Sequence, residues 1–403
     1  MDQTYDLVIV GGGMVGAALA CALSESQYRI ALIEQLLPAS FSVEQPHDLR
    51  VSALSLASEA LLKKIGVWSG ILARRACPYQ RMKVWELDSE RAATEFNSAE
   101  IGEPHLGHIV ENRVVQWALI DRIRQSPNIR LIAPATPLEI EYVPGASLVR
   151  LDNGEELVAR LLIGADGGES AVARAAGLGV LRWDYAQHAL IATVTTAAAQ
   201  QDITWQEFRP TGPVALLPLS GSHASLVWYH QPDEVKRRLA LDPEAFRQAL
   251  IQEFPSCLGE ILTVESRGSF PLRRQHAQNY VAEGVALIGD AAHMIHPLAG
   301  QGVNIGFMDV AILAELLLHA EQTDQAVSDL AQLAVYEKKR RYQNLLMMQT
   351  MDAFYRVFSN DLLPLKWARN LGLGLGQHLP WARREVTRFA TGSGRYTPKW
   401  MQS

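Results

Sequence analysis

Asp6-Leu7-Val8-Ile9-Val10-Gly11-Gly12-Gly13-Met14-Val15-Gly16 opens the chain with an apolar, β-branched run that breaks into glycine. Asp6–Val10 has the pattern of a strand buried on both faces. Ala17–Leu23, beyond the glycines, is rich in good helix formers, and Arg29–Glu34 (RIALIE) reads as a second buried strand. The unit is β-turn-α-β, and its turn has the spacing G-x-G-x-x-G. Gly11 permits the tight turn, Gly13 lets backbone approach a pyrophosphate, and Gly16 allows close packing of helix on strand. Met14 and Val15 start a helix whose amide end faces the phosphates. Glu34 lies 18 residues beyond Gly16, with Gln35 after it, where a carboxylate accepts hydrogen bonds from an adenosine ribose. The alternative is a glycine-rich turn without a ligand. The strand–turn–helix setting favours an adenine dinucleotide and does not choose between NAD and FAD.

The rest of the chain is compatible with a multi-domain α/β protein. Its 403 residues are 48% hydrophobic and 20% charged, which excludes disordered, collagen-like and coiled-coil classes. Three dispersed cysteines (Cys21, Cys77, Cys257) make neither a disulfide framework nor a zinc site and suit a reducing compartment. The start of the chain lacks the basic region of a signal peptide, and no apolar run reaches the roughly 18–20 residues that span a bilayer. A cytoplasmic location is expected. The net charge of −6 is uneven: from Glu337 onward there are 12 Lys/Arg against 4 Asp/Glu, a local +8 that leaves −14 for the remainder. Such a basic end solvates a helical face, or meets an acidic partner or an anionic membrane surface. No nucleic-acid partner is expected.

Two more short apolar strands, Leu161–Gly164 and Val285–Gly289, run into Gly and Asp. Between them Ala189–Thr195, Ile203–Phe208, Val214–Leu219 and Ala224–Tyr229 resemble successive strands of an antiparallel sheet. Asp309–Ala320 reads as an apolar helix, with helices continuing through Tyr355. This order predicts a discontinuous dinucleotide-binding domain over 1–75, 105–180 and 275–340. A second domain is expected over 76–104 and 181–274, with a helical C-terminal region over 341–403.

Two later motifs decide the cofactor. Leu161-Leu162-Ile163-Gly164-Ala165-Asp166-Gly167 resembles the DG motif of flavin-dependent aromatic hydroxylases. Ala286–His293 (ALIGDAAH), followed by His296–Asn304 (HPLAGQGVN), resembles their GD motif and flavin loop. With Gly11–Gly16, these motifs span residues 11–304 in the family's order. Val51–Leu56, Gly66–Trp68, His108–Asn112 and Trp183–Tyr185 resemble one branch, the ubiquinone-biosynthesis hydroxylases that act on polyprenyl phenols and quinols. Thr204–Gln206, Leu226–Tyr229, Phe254–Ser256 and Phe358–Asn360 look most like the demethoxyubiquinol hydroxylases within it. The resemblance covers nearly the whole chain.

It implies a fold like that of p-hydroxybenzoate hydroxylase: a Rossmann-like FAD-binding domain, an inserted, mainly antiparallel β-sheet substrate domain and C-terminal helices. It implies that NADPH or NADH reduces FAD, that dioxygen forms a flavin hydroperoxide, and that one oxygen passes to the ring. Gly289 and Asp290 would meet the ribityl hydroxyls. Pro297, Gly300 and Gln301, with the backbone of Gly302, Val303 and Asn304, would lie against the isoalloxazine. Arg50 and Val51 would lie near the pyrophosphate and flavin edge, and Asn112 and Arg113 beside the ribityl chain. The DG motif departs from the family's D-G-x-x-S-x-x-R: Asp166, Gly167 and Ser170 match, but Ala173 holds the arginine position. Arg174 sits about 100° further round a helix. His293 and His296 lack a third ligand, so no metal is expected. Acid/base candidates on the inserted sheet are His188, Tyr229 and His230, each with an ordinary packing role as the alternative. A quinol needs little more, because its hydroxyls already activate the ring. Leu362–Leu371, and Trp381 ahead of Arg383 and Arg384, combine apolar anchors with positive charge. They suit peripheral contact with the inner face of a membrane or a biosynthetic complex, or plain helix packing. Other readings left open are a different ring position, a non-hydroxylating FAD-dependent reductase or oxidase, and a flavin-binding scaffold.

Overall fold

Burial on both faces accounts for the apolar opening run. The first strand, β1 (Thr4–Val10), buries Leu7–Val10 and leads through the glycines to α1 (Met14–Ala22) and β2 (Ile30–Ile33). In chain order there follow β3 (Val51–Ser55), α2 (Leu56–Lys64), α3 (Trp68–Leu72), β4 (Cys77–Tyr79), β5 (Arg81–Glu86), β6 (Thr94–Asn97) and β7 (Gly107–Glu111). Next come α4 (Asn112–Arg124), β8 (Ile129–Ile132), β9 (Pro137–Glu141), β10 (Ser147–Leu151), β11 (Glu156–Gly164) and α5 (Ala171–Ala175). The inserted region holds β12 (Val180–Thr196), β13 (Ile203–Phe208), β14 (Val214–Pro218), β15 (His223–His230), α6 (Pro232–Leu239), α7 (Pro243–Glu253) and β16 (Ile261–Ala277). The chain closes with β17 (Val281–Ala282), β18 (Val285–Leu287), β19 (His293–Met294), α8 (Gly302–Gln322), α9 (Leu330–Phe358) and α10 (Pro380–Ala390). This computed structural model describes residues 3–86, 93–255, 259–295, 302–358, 380–394 and 397–402.

Three sheets organise these elements. The first runs β17-β18-β11-β1-β2-β8, with β1, β2, β8, β11 and β18 mutually parallel and the hairpin β9-β10 attached to β11. The second runs β19-β16-β12-β15-β14-β13-β5-β6 and is antiparallel except where β5 meets β13. The third is the small sheet β3-β7-β4. Within the 76–104 stretch, β5 and β6 join the second sheet, whereas β4 pairs with β7. The strand β12 is much longer than Ala189–Thr195, because both of its ends find partners on β16.

The two faces of the second sheet differ. One carries Leu190, Ala192, Val194, Trp205 and Trp228, covered by Phe246 and Leu250 of α7. The other carries Ala189, Ala215, Val227, Tyr229 and Leu272. It continues through Leu217 into the cluster built on the third sheet. Helix α8 starts seven residues before Asp309 and is long and apolar enough, by length and composition, to cross a membrane. Here its Ile305, Phe307, Val310, Leu313 and Leu317 are buried in protein, where each such side chain contributes about 1.5–3 kcal/mol.

Candidate functional site

The glycine turn is built by close approach. Gly11 has φ +105°, and a Cβ there would collide with the carbonyl of Ala165 at the end of β11. A Cβ on Gly16 would collide with the Gly11 carbonyl. Gly13 is different: it caps α1 at the N-terminus, and a Cβ there meets nothing within 4 Å. Open space in front of bare backbone, at a helix amide end, is the cradle a pyrophosphate fits. Val15 packs against Gly289 and Gly306, so the glycine turn, the GD turn and α8 meet at one point. Met14 is partly buried against the same core.

Glu34 follows β2 directly. Its Oε2 accepts from the Gly12 N–H at 2.6 Å and its Oε1 from the Leu36 N–H at 3.0 Å, while Gln35 is exposed beside it. The carboxylate is thus fixed over the turn, with lone pairs to spare. Asp166 caps α5 through Oδ2, accepting from the Ala171 N–H at 2.7 Å, while its buried Oδ1 has no partner among the described residues. An orphaned buried acceptor beside the glycine turn fits a ligand that donates. Gly167 follows it with φ +77°. Ala173 is buried in the core and Arg174 points outward to the Glu169 carbonyl. The side chain at the departed motif position is therefore a packing residue here.

Arg50, Asp290 and Asn112 come together. The Asn112 N–H donates to the Arg50 carbonyl at 2.9 Å, and the Ser52 hydroxyl donates to Asn112 Oδ1 at 2.7 Å. Asp290 lies in the short 3-10 turn Gly289–Ala291, exposed to solvent yet surrounded by protein. Burial raises its carboxyl pKa; the charges of His293 and Arg50 oppose that rise and Asp309 adds to it. Gly302 opens α8 with free space around its Cα, and Val303 packs on the core. Val51 starts β3, opposite Glu111 on β7. Pro297, Gly300, Gln301 and His296 lie outside the described residues.

Two of the expected residues also hold the chain together through their side chains. Arg113 pairs with Glu111 at 2.7 Å and donates to the Pro46 carbonyl at 2.5 Å. Asn304 is buried: its Oδ1 accepts from the Ser55 N–H at 3.0 Å and from the Ser58 hydroxyl at 2.7 Å, and its Nδ2 donates to the Ala53 carbonyl. It ties α8 to β3 and α2 by its side chain.

The three acid/base candidates separate. Tyr229 stands on the face shared with Ala189 and Val227, where burial pushes its hydroxyl pKa up. His188 and His230 are register partners on the opposite face, that of Leu190 and Trp228. His230 Nδ1 accepts from the Gln231 N–H at 2.8 Å, and burial and Arg238 of α6 hold its pKa down.

Several side chains gained importance only in three dimensions. Asp309, 0% exposed, accepts from the Gly289 N–H at 3.0 Å, His293 Nε2 at 2.5 Å and Arg340 Nε at 2.7 Å. Burial alone would raise its pKa, but His293 and Arg340 outweigh it and hold it at about 2. A lone aspartate inside an apolar helix was the available signal. Glu111 accepts from the Asp48 N–H at 2.7 Å and from Arg75 Nε at 2.8 Å, anchoring the segment before Arg50. Glu59 gathers Lys63, His105 and His108, and His47 stacks on His223, which pairs with Glu265 at 2.9 Å.

Residues 4–350 match the FAD binding domain family. The chain is 41% identical to 3-demethoxyubiquinol 3-hydroxylase of Escherichia coli strain K12, over 97% of this chain and 99% of that one. It is 37% identical to ubiquinone hydroxylase UbiL of Rhodospirillum rubrum, over 99% and 92% of the two chains.

The chain belongs to the FAD-dependent hydroxylases of ubiquinone biosynthesis.

The human mitochondrial ubiquinone biosynthesis monooxygenase COQ6 is a further relative, 33% identical over 97% of this chain and 93% of that one. Among solved structures, p-nitrophenol 4-monooxygenase PnpA from Pseudomonas putida shares the fold with a TM-score of 0.80 at 20% identity, covering 98% of this chain and 100% of that one. The ubiquinone-pathway hydroxylase described here is therefore a flavoprotein monooxygenase that acts on a quinol ring with O2. Bound FAD, reduced by NADPH or NADH, supplies the redox and oxygen chemistry. The chain supplies the cradle, the charges around it and an apolar sheet face.

Proposed function

We propose that this hydroxylase acts on 3-demethoxyubiquinol, adding one oxygen to its ring. The observation that carries the reading is the 41% identity to the E. coli 3-demethoxyubiquinol 3-hydroxylase, which runs over almost the whole of both chains and includes the inserted sheet. Gly11–Gly16 would hold the diphosphate of FAD, Glu34 and Gln35 its adenosine ribose, and Arg50, Val51, Asn112 and Asp290 its ribityl chain. The DG residues Asp166 and Gly167 lie alongside. Residues 1–75, 105–180 and 275–340 serve FAD, 76–104 and 181–274 serve the substrate, and 341–403 form the C-terminal region. Gly289 and the backbone from Gly302 to Asn304 frame the flavin end, and Arg113 acts through the 41–50 segment it fixes. Of the acid/base candidates Tyr229 is retained, because it shares the face that turns toward β3 and β7.

The test supplies purified holoenzyme with NADPH or NADH, oxygen and polyprenyl quinols that lack one ring substituent at a defined position. The expected product is the 3-demethoxy quinol plus one hydroxyl. A product hydroxylated only elsewhere, a saturated product, or peroxide alone overturns the assignment.

The reading includes a cytoplasmic enzyme that touches the inner face of a membrane, or a biosynthetic complex, through its basic end. Exposed Tyr342 and Leu346 on α9, and exposed Val386 and Phe389 on α10, support it, with exposed Arg384 among them. Leu362–Leu371 lies outside the described residues. Co-sedimentation with vesicles of mixed zwitterionic and anionic phospholipid is expected, and is expected to fall when the chain is cut after Leu362. Unchanged sedimentation of a folded truncated protein overturns it.

A further inference from the structure

Three buried hydroxyls stand side by side across the middle of the second sheet. Thr193 on β12 is the register partner of Ser225 on β15 and of Ser266 on β16. All three lie on the face of Ala189 and Val227, away from α7. Thr193 and Ser225 are 0% exposed, yet among the described residues Thr193 Oγ1, Ser225 Oγ and Ser266 Oγ have no hydrogen-bond partner. Buried polar atoms are almost always paired, and an orphan costs stability. A row of three orphans in one place calls for a partner that the described residues do not supply.

The surroundings say what that partner is. At one end the next register pair, Thr195 and His223, leads to a polar cluster. Glu265 accepts from Thr195 Oγ1 at 2.7 Å and pairs with His223 Nε2, and the His47 ring lies 4.6 Å from the His223 ring. His47 is 8% exposed, and its Nε2 also lacks a partner among the described residues. Burial, then Arg75 and His223, push its pKa down to about 4, so the ring is neutral. At the other end the same face turns apolar, through Ile191, Val227, Ala215, Ala189 and Phe270. The segment from His47 to Leu49 runs from the His223 ring to Gly268, which Leu49 packs against. Arg50, next in the chain, is the residue whose charge reaches Asp290. The row is therefore polar on one flank, apolar on the other, and bridged to the proposed flavin cradle by four residues.

We propose that Thr193, Ser225 and Ser266, with His47, form the subsite for the oxygen substituents of the quinol ring, the apolar flank receiving the start of the polyprenyl tail. The inference rests on the reading of the protein as a quinol-ring hydroxylase and names residues that set its specificity. Two hydroxyls donate to ring oxygens, and His47 Nε2 supplies a further hydrogen-bonding atom.

The test compares Thr193→Val, Ser225→Ala and the hydroxyl-retaining Thr193→Ser in the holoenzyme. Binding of a short-tailed demethoxy quinol is read from the flavin absorbance of the oxidised enzyme without reduced nucleotide, so no turnover intervenes. Thr193→Val and Ser225→Ala are each expected to weaken quinol binding about fivefold to tenfold. FAD affinity should hold, and Tm without quinol should stay level or rise, because an unpaired hydroxyl has been removed. Thr193→Ser is expected to bind quinol as wild type does. A fall in Tm with quinol affinity unchanged makes the hydroxyls structural and overturns the proposal, as does quinol binding within twofold of wild type in both deletions. Failure of the underlying reading shows separately, as a wild-type enzyme that forms no hydroxylated product.

Discussion

Replacing Asp309 by Asn removes the charge on which the GD turn is pinned. Asp309 and Arg340 are 0% and 1% exposed, so the guanidinium cannot turn to water when its partner becomes neutral. Arg340 keeps Asn344 Oδ1 at 2.6 Å and the Ile305 carbonyl at 3.3 Å, both uncharged. Breaking a buried pair from one side costs about 3–5 kcal/mol, against a typical total of about 5–15 kcal/mol. Asp309→Asn should therefore remove a large share of the stability, and it should also loosen Gly289, whose N–H donates to Oδ2. The assay is urea unfolding of the holoenzyme followed by tryptophan fluorescence, with flavin release recorded in parallel. Flavin should leave at lower urea than global unfolding in the variant. Arg340→Met should cost a similar amount, and the double variant about 2 kcal/mol or more less than the sum, because neither charge is then stranded. Raising salt should not narrow the gap, since buried charges are poorly screened. A loss below about 1 kcal/mol, or strictly additive losses, would mean that the Asp309–Arg340 pair does not pin the turn.

Gly13→Ala and Gly16→Ala should split stability from cofactor binding. A Cβ at Gly16 meets the Gly11 backbone, an overpacking cost of about 1–3 kcal/mol or more that thermal unfolding of FAD-stripped protein will register. Gly13→Ala should cost that protein less than about 1 kcal/mol yet weaken FAD binding at least tenfold, as titrated by flavin fluorescence. Unchanged FAD affinity would remove Gly13 from the cradle. Acid should also destabilise the fold. Burial first, with nearby positive charges, holds His47 and His276 at about 4, below the ordinary value near 6.5. The unfolded chain takes up these protons first, so stability is complete above pH 6.5 and falls as pH drops toward 4. The slope is up to about 1.4 kcal/mol per pH unit for each histidine. Urea midpoints between pH 7 and 4 measure it, and His276→Gln should remove one proton's worth. An equal slope in that variant would contradict the assignment.

Local chemistry made part of the site legible. The collisions that force glycine at positions 11 and 16 arise within a few residues or at the next strand end, and the apolar runs of β1, β2 and β11 suit no exposed setting. Glu34 could be placed by counting, although its engagement with the Gly12 N–H could not. Alternation along β12 and β15 puts His188 and His230 on one face and Tyr229 on the other. Only α6 and α7 decide which of those faces is covered.

Sequence alone determined the dinucleotide turn, because short-range sterics and residue spacing carry it, and its later motifs carried the resemblance to the flavin hydroxylases. Tertiary structure decided the rest. Thr193, Ser225 and Ser266 are neighbours only through strand register, and Asp309 meets Arg340 and His293 only when α8, α9 and the GD turn pack together. Buried polar groups take their meaning from partners, and packing brings those partners together from distant parts of the chain.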